Sequence, residues 1–182
     1  MTPTRIAVSG PPGSGKTTVS EMVAKRMGFK LILVGQLFRQ MAVEKKMDLE
    51  AFGSLAEEDE TIDRELDDRT VAVARSSEDI VIEGRLVGAL LKQSSIDALA
   101  VHVDASEDVR SSRIAEREKK PVDEVLMEMR RRERSERKRY LTYYGIDPSD
   151  RTIYDLWIDS SSETPEEVAD AIVTEAERRY SD

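Results

Sequence analysis

The 182-residue chain has no cysteine. Disulfides, thiolate metal sites and a cysteine nucleophile are therefore excluded. No apolar run is long enough to span a bilayer, and Met1 to Arg5 leads into the first predicted strand without the apolar stretch of a signal peptide. We expect a cytoplasmic protein with no membrane partner. Internal repeats and low-complexity linkers are absent, and the length suits one domain or one domain with a small insert. The net charge of −9 argues against general nucleic-acid binding, so no nucleic-acid partner is expected.

That charge is unevenly spread. Residues 48–68 carry ten acidic side chains and a single basic one, Arg64, and read as the solvated face of two helices. Residues 130–139 carry seven basic side chains against Glu133 and Glu136. A basic segment in an acidic protein points to a local anionic partner. Arg130 and Arg134 read as its solvated members.

The stretch Gly10-Pro11-Pro12-Gly13-Ser14-Gly15-Lys16-Thr17 fits the phosphate-binding pattern G-x-x-x-x-G-K-[ST] without a gap. Its context fits as well. Arg5 to Ser9 reads as a buried strand, and Val19, Met22, Val23 and Met27 recur at helical spacing after the motif. Backbone N–H groups of such a loop, with the following helix N-terminus, cradle phosphate oxygens. Lys16 is expected to reach the β- and γ-phosphates of ATP, and Thr17 to ligate Mg²⁺. Glu83, at the end of a predicted strand, either pairs with a cation such as Lys16 or holds a Mg²⁺-bound water.

Further strands are expected at Leu31–Val34, closed by Gly35, and at 79–83, 99–103 and 156–159. Helices fill the intervals: from Leu37, at 49–56 and 62–74, at 87–91, from Ser106 to 118, from Pro121, and after the capping box Thr164-Pro165-Glu166-Glu167. Residues 140–150 read as a loop, His102 as a core residue, Asp104 as a helix-start acid, and Tyr140, Tyr143 and Tyr144 as packing residues, one of which could stack on a base. Alternating strands and helices predict an α/β three-layer P-loop NTPase fold, with a five-stranded parallel sheet and helices on both faces. Ligands should then bind at the carboxyl ends of the strands.

No guanine-reading N-K-x-D follows any strand, which removes a GTP-dependent switch. Strand two ends Leu33-Val34-Gly35-Gln36, without the carboxylate base that helps a kinase act on an alcohol. A phosphate monoester needs no such base, but it needs cations to offset its repulsion from the donor. Arg39, Arg85 and the arginine-rich segment are suited to that work, since the planar guanidinium matches phosphate oxygens. Kinases for AMP or UMP, a small-alcohol kinase and a nucleotide-binding regulatory or assembly factor remain as alternatives on the residues alone.

From about Arg5 to Ala176 the chain resembles archaeal-type cytidylate kinases of the nucleoside monophosphate kinase group. The resemblance rests on Ser9 to Thr18, Gly35 with Phe38-Arg39, Glu83-Gly84-Arg85, Arg113 to Glu118, Arg139-Tyr140, Tyr143 to Asp147, and the stretch Tyr154 to Ser160. It implies a Mg²⁺-dependent transfer of the ATP γ-phosphoryl group to CMP or dCMP by a monomeric enzyme. It also implies a single domain with core segments 1–35, 77–106 and 150–182, an NMP-binding insert at 36–76 and a lid at 107–145. Gly10, Pro11, Pro12, Gly13, Ser14, Gly15, Lys16, Thr17 and Thr18 would hold ATP, with Arg113 as a lid-hinge arginine near the adenine. Gly35, Arg39, Arg85 and Glu136 would bind the acceptor. Lys16, Arg85, Arg132 and Arg139 would act on the transferring group. The chain departs from the family at Val34, where other members have a small polar residue, and at Leu86, where bacterial members have Asp.

Overall fold

In the computed structural model, which describes residues 3–76 and 78–180, five strands form one parallel sheet. Residues 1–2, 77 and 181–182, at the ends of the expected core segments, lie outside the described residues. The strands are β1 (Arg5–Ser9), β2 (Lys30–Leu33), β3 (Ile80–Glu83), β4 (Leu99–Asp104) and β5 (Leu156–Asp159), in the order β2-β3-β1-β4-β5. β1 lies between β3 and β4, in register Ala7 to Ile82 and Ala7 to Ala100. The chain therefore leaves β1 towards one edge of the sheet and later returns past it to the other. The carboxyl end of β1 is where such a sheet opens a crevice.

Strand alternation divides the core. Ile6 and Val8 face one layer, packed with Val19 and Val23 of α1 (Lys16–Met27) and Val168 and Ile172 of α8 (Pro165–Tyr180). Ala7, Ile80 and Ile82 face the other, against Val87 and Leu91 of α5 (Val87–Gln93). Both layers are built from buried apolar side chains, which suits a parallel sheet covered on both faces. The capping box forms: Thr164 Oγ1 accepts from the Glu167 N–H at 3.2 Å, and Glu167 accepts from the Thr164 N–H at 2.8 Å.

Two helical units carry small cores of their own. In α2 (Val34–Glu44), α3 (Leu49–Glu58) and α4 (Glu60–Ala74), the buried residues Met41, Phe52 and Ile62 pack together, with Phe38 against Phe52 at 4.8 Å. In α6 (Glu107–Glu118) and α7 (Val122–Tyr144), Ile114, Val125 and Met129 do the same.

Two boundary expectations are corrected. Gly35 does not close β2, because the ladder ends at Leu33 opposite Glu83 and α2 starts at Val34. Val34 instead packs on Gly84, where a Cβ would meet its Cγ2 at 3.0 Å. Residues 140–144 are not loop. Nothing in Leu141 to Tyr144 breaks a helix, so α7 runs on until Gly145, whose N–H bonds to the Leu141 carbonyl. That extra turn carries Tyr140 and Tyr144 into the wall of a cavity shared with α4 residues.

Candidate active site

The P-loop spans the end of β1 and the start of α1. Gly10 passes so close to β4 that a Cβ there would lie 2.2 Å from the Val103 carbonyl oxygen, so only glycine fits. Helix α1 starts with no side-chain cap and no acid in its first turn. Its N-terminal N–H groups and dipole are therefore left to an anion. The buried Ser14 hydroxyl in the same loop has no hydrogen-bond partner among the described residues.

Lys16 is buried, donates to the Pro11 carbonyl at 3.3 Å and lies 3.6 Å from Glu83 Oε1. Burial pushes its ammonium down from 10.5 to about 8, opposed by the Glu83 carboxylate and assisted by the Arg85 charge. Thr17 Oγ1 donates to Glu83 Oε2 at 3.0 Å. One buried carboxylate thus meets both P-loop side chains, so the pairing expected of Glu83 is present. A hydroxyl and a carboxylate are hard oxygen donors, and this pair fits Mg²⁺.

The arginines of the site are held by carboxylates. Arg85, just past β3, bonds Glu136 at 2.8 Å, and the same Glu136 receives Arg132 at 3.0 Å. Arg139 bonds Asp63 at 2.7 Å and so ties α7 to α4. Arg85 and Arg139 are largely buried, whereas the Arg132 side chain is 65% exposed. Arg113 is braced between the Gly13 carbonyl at 3.3 Å and Ser160, whose carbonyl it meets at 2.8 Å. Arg39 and Gly35 are exposed on α2 and line neither of the cavities described next. Arg130 is a surface residue paired with Glu107, and Arg134 is exposed.

Two cavities meet at this cluster. The larger, about 390 Å³, reaches from Gly10 and Pro11 past Arg110 and Glu136 to Trp157. The smaller, about 110 Å³, lies between α4, α5 and the end of α7. Its walls are mostly apolar, from Val34, Leu66, Leu86 and Ile146, with Asp63, Asp67 and Tyr144 as polar groups. Arg85 and Tyr140 line both cavities. Burial raises the Tyr140 hydroxyl far above its ordinary value, so it stays protonated.

Several of these residues were not expected from the sequence. The stretch 48–68 is not wholly a solvated face: Asp63 and Asp67, one turn apart on α4, turn into the smaller cavity. Their spacing, with Leu66 between and Thr70 following, was the available signal. Arg110 is buried, donates to the Pro12 carbonyl at 3.3 Å and pairs with Glu133. It thereby fastens α6 and α7 to the P-loop. His102 is buried as expected, and it also lines the larger cavity, stacked on Trp157 at 3.9 Å. Burial lowers it to about 4, so it is neutral near pH 7. Asp104 accepts from its neighbour's N–H, Ala105, at 2.9 Å, and lines the same cavity.

A five-stranded parallel sheet with a phosphate loop after β1, a buried lysine and converging arginines defines a P-loop kinase, for which ATP is the phosphoryl donor. Solved structures agree on the fold: a shikimate kinase from Acinetobacter baumannii superposes with a TM-score of 0.66 at 16% identity, covering 98% of this chain and 96% of that one. The chain belongs to the cytidylate kinase-like family, whose model matches residues 5–162. It is 44% identical to a cytidylate kinase of Archaeoglobus fulgidus, over 95% of this chain and 94% of the relative. It is 47% identical to one of Pyrococcus abyssi, over 90% and 88%. Among the described residues, no helix is long and apolar enough to cross a membrane.

Proposed function

We propose that the chain transfers the γ-phosphoryl group of ATP to CMP or dCMP, giving ADP and CDP or dCDP. The observation that carries this reading is the pair of cavities joined at Arg85 and Tyr140, one beside the P-loop and one beneath α4. A donor in the first and a nucleoside monophosphate in the second would bring their phosphates together at Arg85. The family relationship supports the cytidylate assignment.

In this reading Gly10 to Thr18 hold the ATP phosphates, and Lys16 neutralises charge on the β- and γ-phosphates. Arg113 borders the donor site. An acceptor oxygen attacks the γ-phosphorus while the bond to the β,γ-bridging oxygen breaks, and the electron pair leaves with ADP. No general base is needed, because a phosphate monoester is already an anion near neutral pH. Arg85 holds the acceptor in line and offsets its repulsion from ATP. Arg39, exposed on α2, joins it through inward movement of the α2–α4 unit.

Phosphate oxygens would replace the carboxylates that now hold the arginines. Arg85 and Arg132 would exchange Glu136 for phosphate, which frees Glu136 for the acceptor, and Arg139 would exchange Asp63. The units 36–76 and 107–145 then act as acceptor-binding flap and lid. Thr17, with Glu83 through water, would hold Mg²⁺, which supplies charge neutralisation on the transferring phosphates when bound. We further propose that the protein is a cytoplasmic monomer.

The test is an acceptor panel at fixed ATP, reading ADP release with CMP, dCMP, UMP, AMP and cytidine. CMP or dCMP should have the highest kcat/KM, and cytidine, which lacks the 5′-phosphate, should be inert. Arg85→Ala should raise the KM for CMP about tenfold or more while ATP binding without acceptor changes little. Preferred use of another monophosphate, or turnover of cytidine as fast as CMP, would overturn the assignment.

A further inference from the structure

The smaller cavity is lined by one acid, Asp67, that has no ion-pair partner among the described residues. Asp63 is neutralised by Arg139 at 2.7 Å. Asp67, one turn further along α4, faces the same cavity. Its carboxylate accepts from the Tyr144 hydroxyl, and the charges of Asp63 and Asp68 repel it. Burial is the larger influence and raises the carboxyl to about 6, so it is mostly ionised near pH 7. A carboxylate has about four acceptor sites, and one tyrosine proton fills a single one of them. Most of the surrounding wall, from Val34, Leu66, Leu86 and Leu90, can donate nothing; of the donors Arg85, Thr70 and Tyr140 that also line it, Arg85 is engaged by Glu136 at 2.8 Å and Thr70 by the Leu66 carbonyl at 2.8 Å.

A half-satisfied carboxylate in an apolar cavity favours a ligand that donates a hydrogen bond and penalises one that presents a lone pair. Cytosine offers its exocyclic N4 amino group, the donor that Asp and Glu read in nucleic-acid recognition. Uracil carries a carbonyl oxygen at the same place. Taking CMP as the acceptor, as proposed above, we infer that Asp67, held by Tyr144, accepts a hydrogen bond from the N4 amino group of the acceptor base and sets the preference for cytosine over uracil. Discrimination is strong when the wrong base leaves a buried polar group unpaired.

The test compares three acceptors, CMP, UMP and the CMP analogue that has hydrogen in place of the 4-amino group, on the wild type and on Asp67→Asn. The wild type should lose about tenfold or more in kcat/KM on going from CMP to the deamino analogue. In Asp67→Asn that difference should collapse to within about threefold, because the amide can turn either its oxygen or its nitrogen to the base. The ratio of CMP to UMP use should shrink by about the same factor. A wild type that uses the deamino analogue as well as CMP would overturn the inference, and so would an Asp67→Asn protein that keeps the full CMP-to-UMP ratio. The wild-type measurements stand even if the variant folds poorly. A wild type that prefers a different monophosphate altogether would sink the CMP reading itself, which separates the two failures.

Discussion

The buried state of Lys16 has a measurable consequence for ATP binding. Desolvation holds its ammonium at about 8, well below the ordinary 10.5, because neither Glu83 at 3.6 Å nor the Pro11 carbonyl replaces the lost water. The polyphosphate of ATP favours the charged lysine and should return the pKa towards its ordinary value. Binding must then take up protons wherever the free protein is partly neutral at Lys16. At pH 8.0 roughly half a proton should enter per ATP, at pH 8.5 roughly three-quarters, and at pH 6.5 only roughly one-thirtieth. Above pH 8 the apparent affinity should weaken by up to about tenfold per pH unit. His102 contributes nothing in this window, since burial holds it at about 4. Calorimetric titration of Mg-ATP in two buffers of different ionisation enthalpy reads the proton count directly. Lys16→Met should remove the uptake at pH 8.0 and cost about a thousandfold in turnover. Absent uptake in the wild type at pH 8.0, or equal uptake in the variant, would refute the argument.

Two further outcomes follow from contacts at either end of the site. Arg132→Ala and Arg139→Ala should each lower kcat more than they raise KM, if, as proposed, they exchange carboxylate for phosphate only on closure; steady-state kinetics that show only a larger KM would contradict that role. Gly10→Ala should destabilise the fold by about 3 kcal/mol, since its Cβ would have to sit 2.2 Å from the Val103 oxygen. Thermal melts should show Tm lower by roughly 6–12 °C, and an unchanged Tm would mean that β1 and β4 can separate at that point without cost.

What could be read from the sequence was whatever depends on neighbours in the chain. The phosphate loop is eight consecutive residues whose backbone makes the site, so its spelling and its flanking periodicities suffice. The order of strands and helices follows from periods of two and 3.6 residues in the same way. The capping box of α8 formed as spelled, because all its partners lie within three residues. Family membership rests on the same local motifs.

The charged groups of the site needed the tertiary structure. Asp63 and Asp67 sit in a run of ten acids; their spacing around Leu66 and Thr70 puts them on one helix face, but nothing local says that this face meets a cavity rather than water. The difference is made by α7, which reaches α4 through Arg139, 76 residues further along the chain. Arg85 and Arg132 share Glu136 only because β3 and α7 converge across 51 residues. Arg110 resembles any surface arginine of an amphipathic helix until the P-loop carbonyl of Pro12 and the carboxylate of Glu133 enclose it. Burying a charge costs several kcal/mol unless a partner is supplied, and here the partners come from distant segments. Periodicity marks which face of a helix is apolar, but only the assembled fold decides which charges are paired and enclosed.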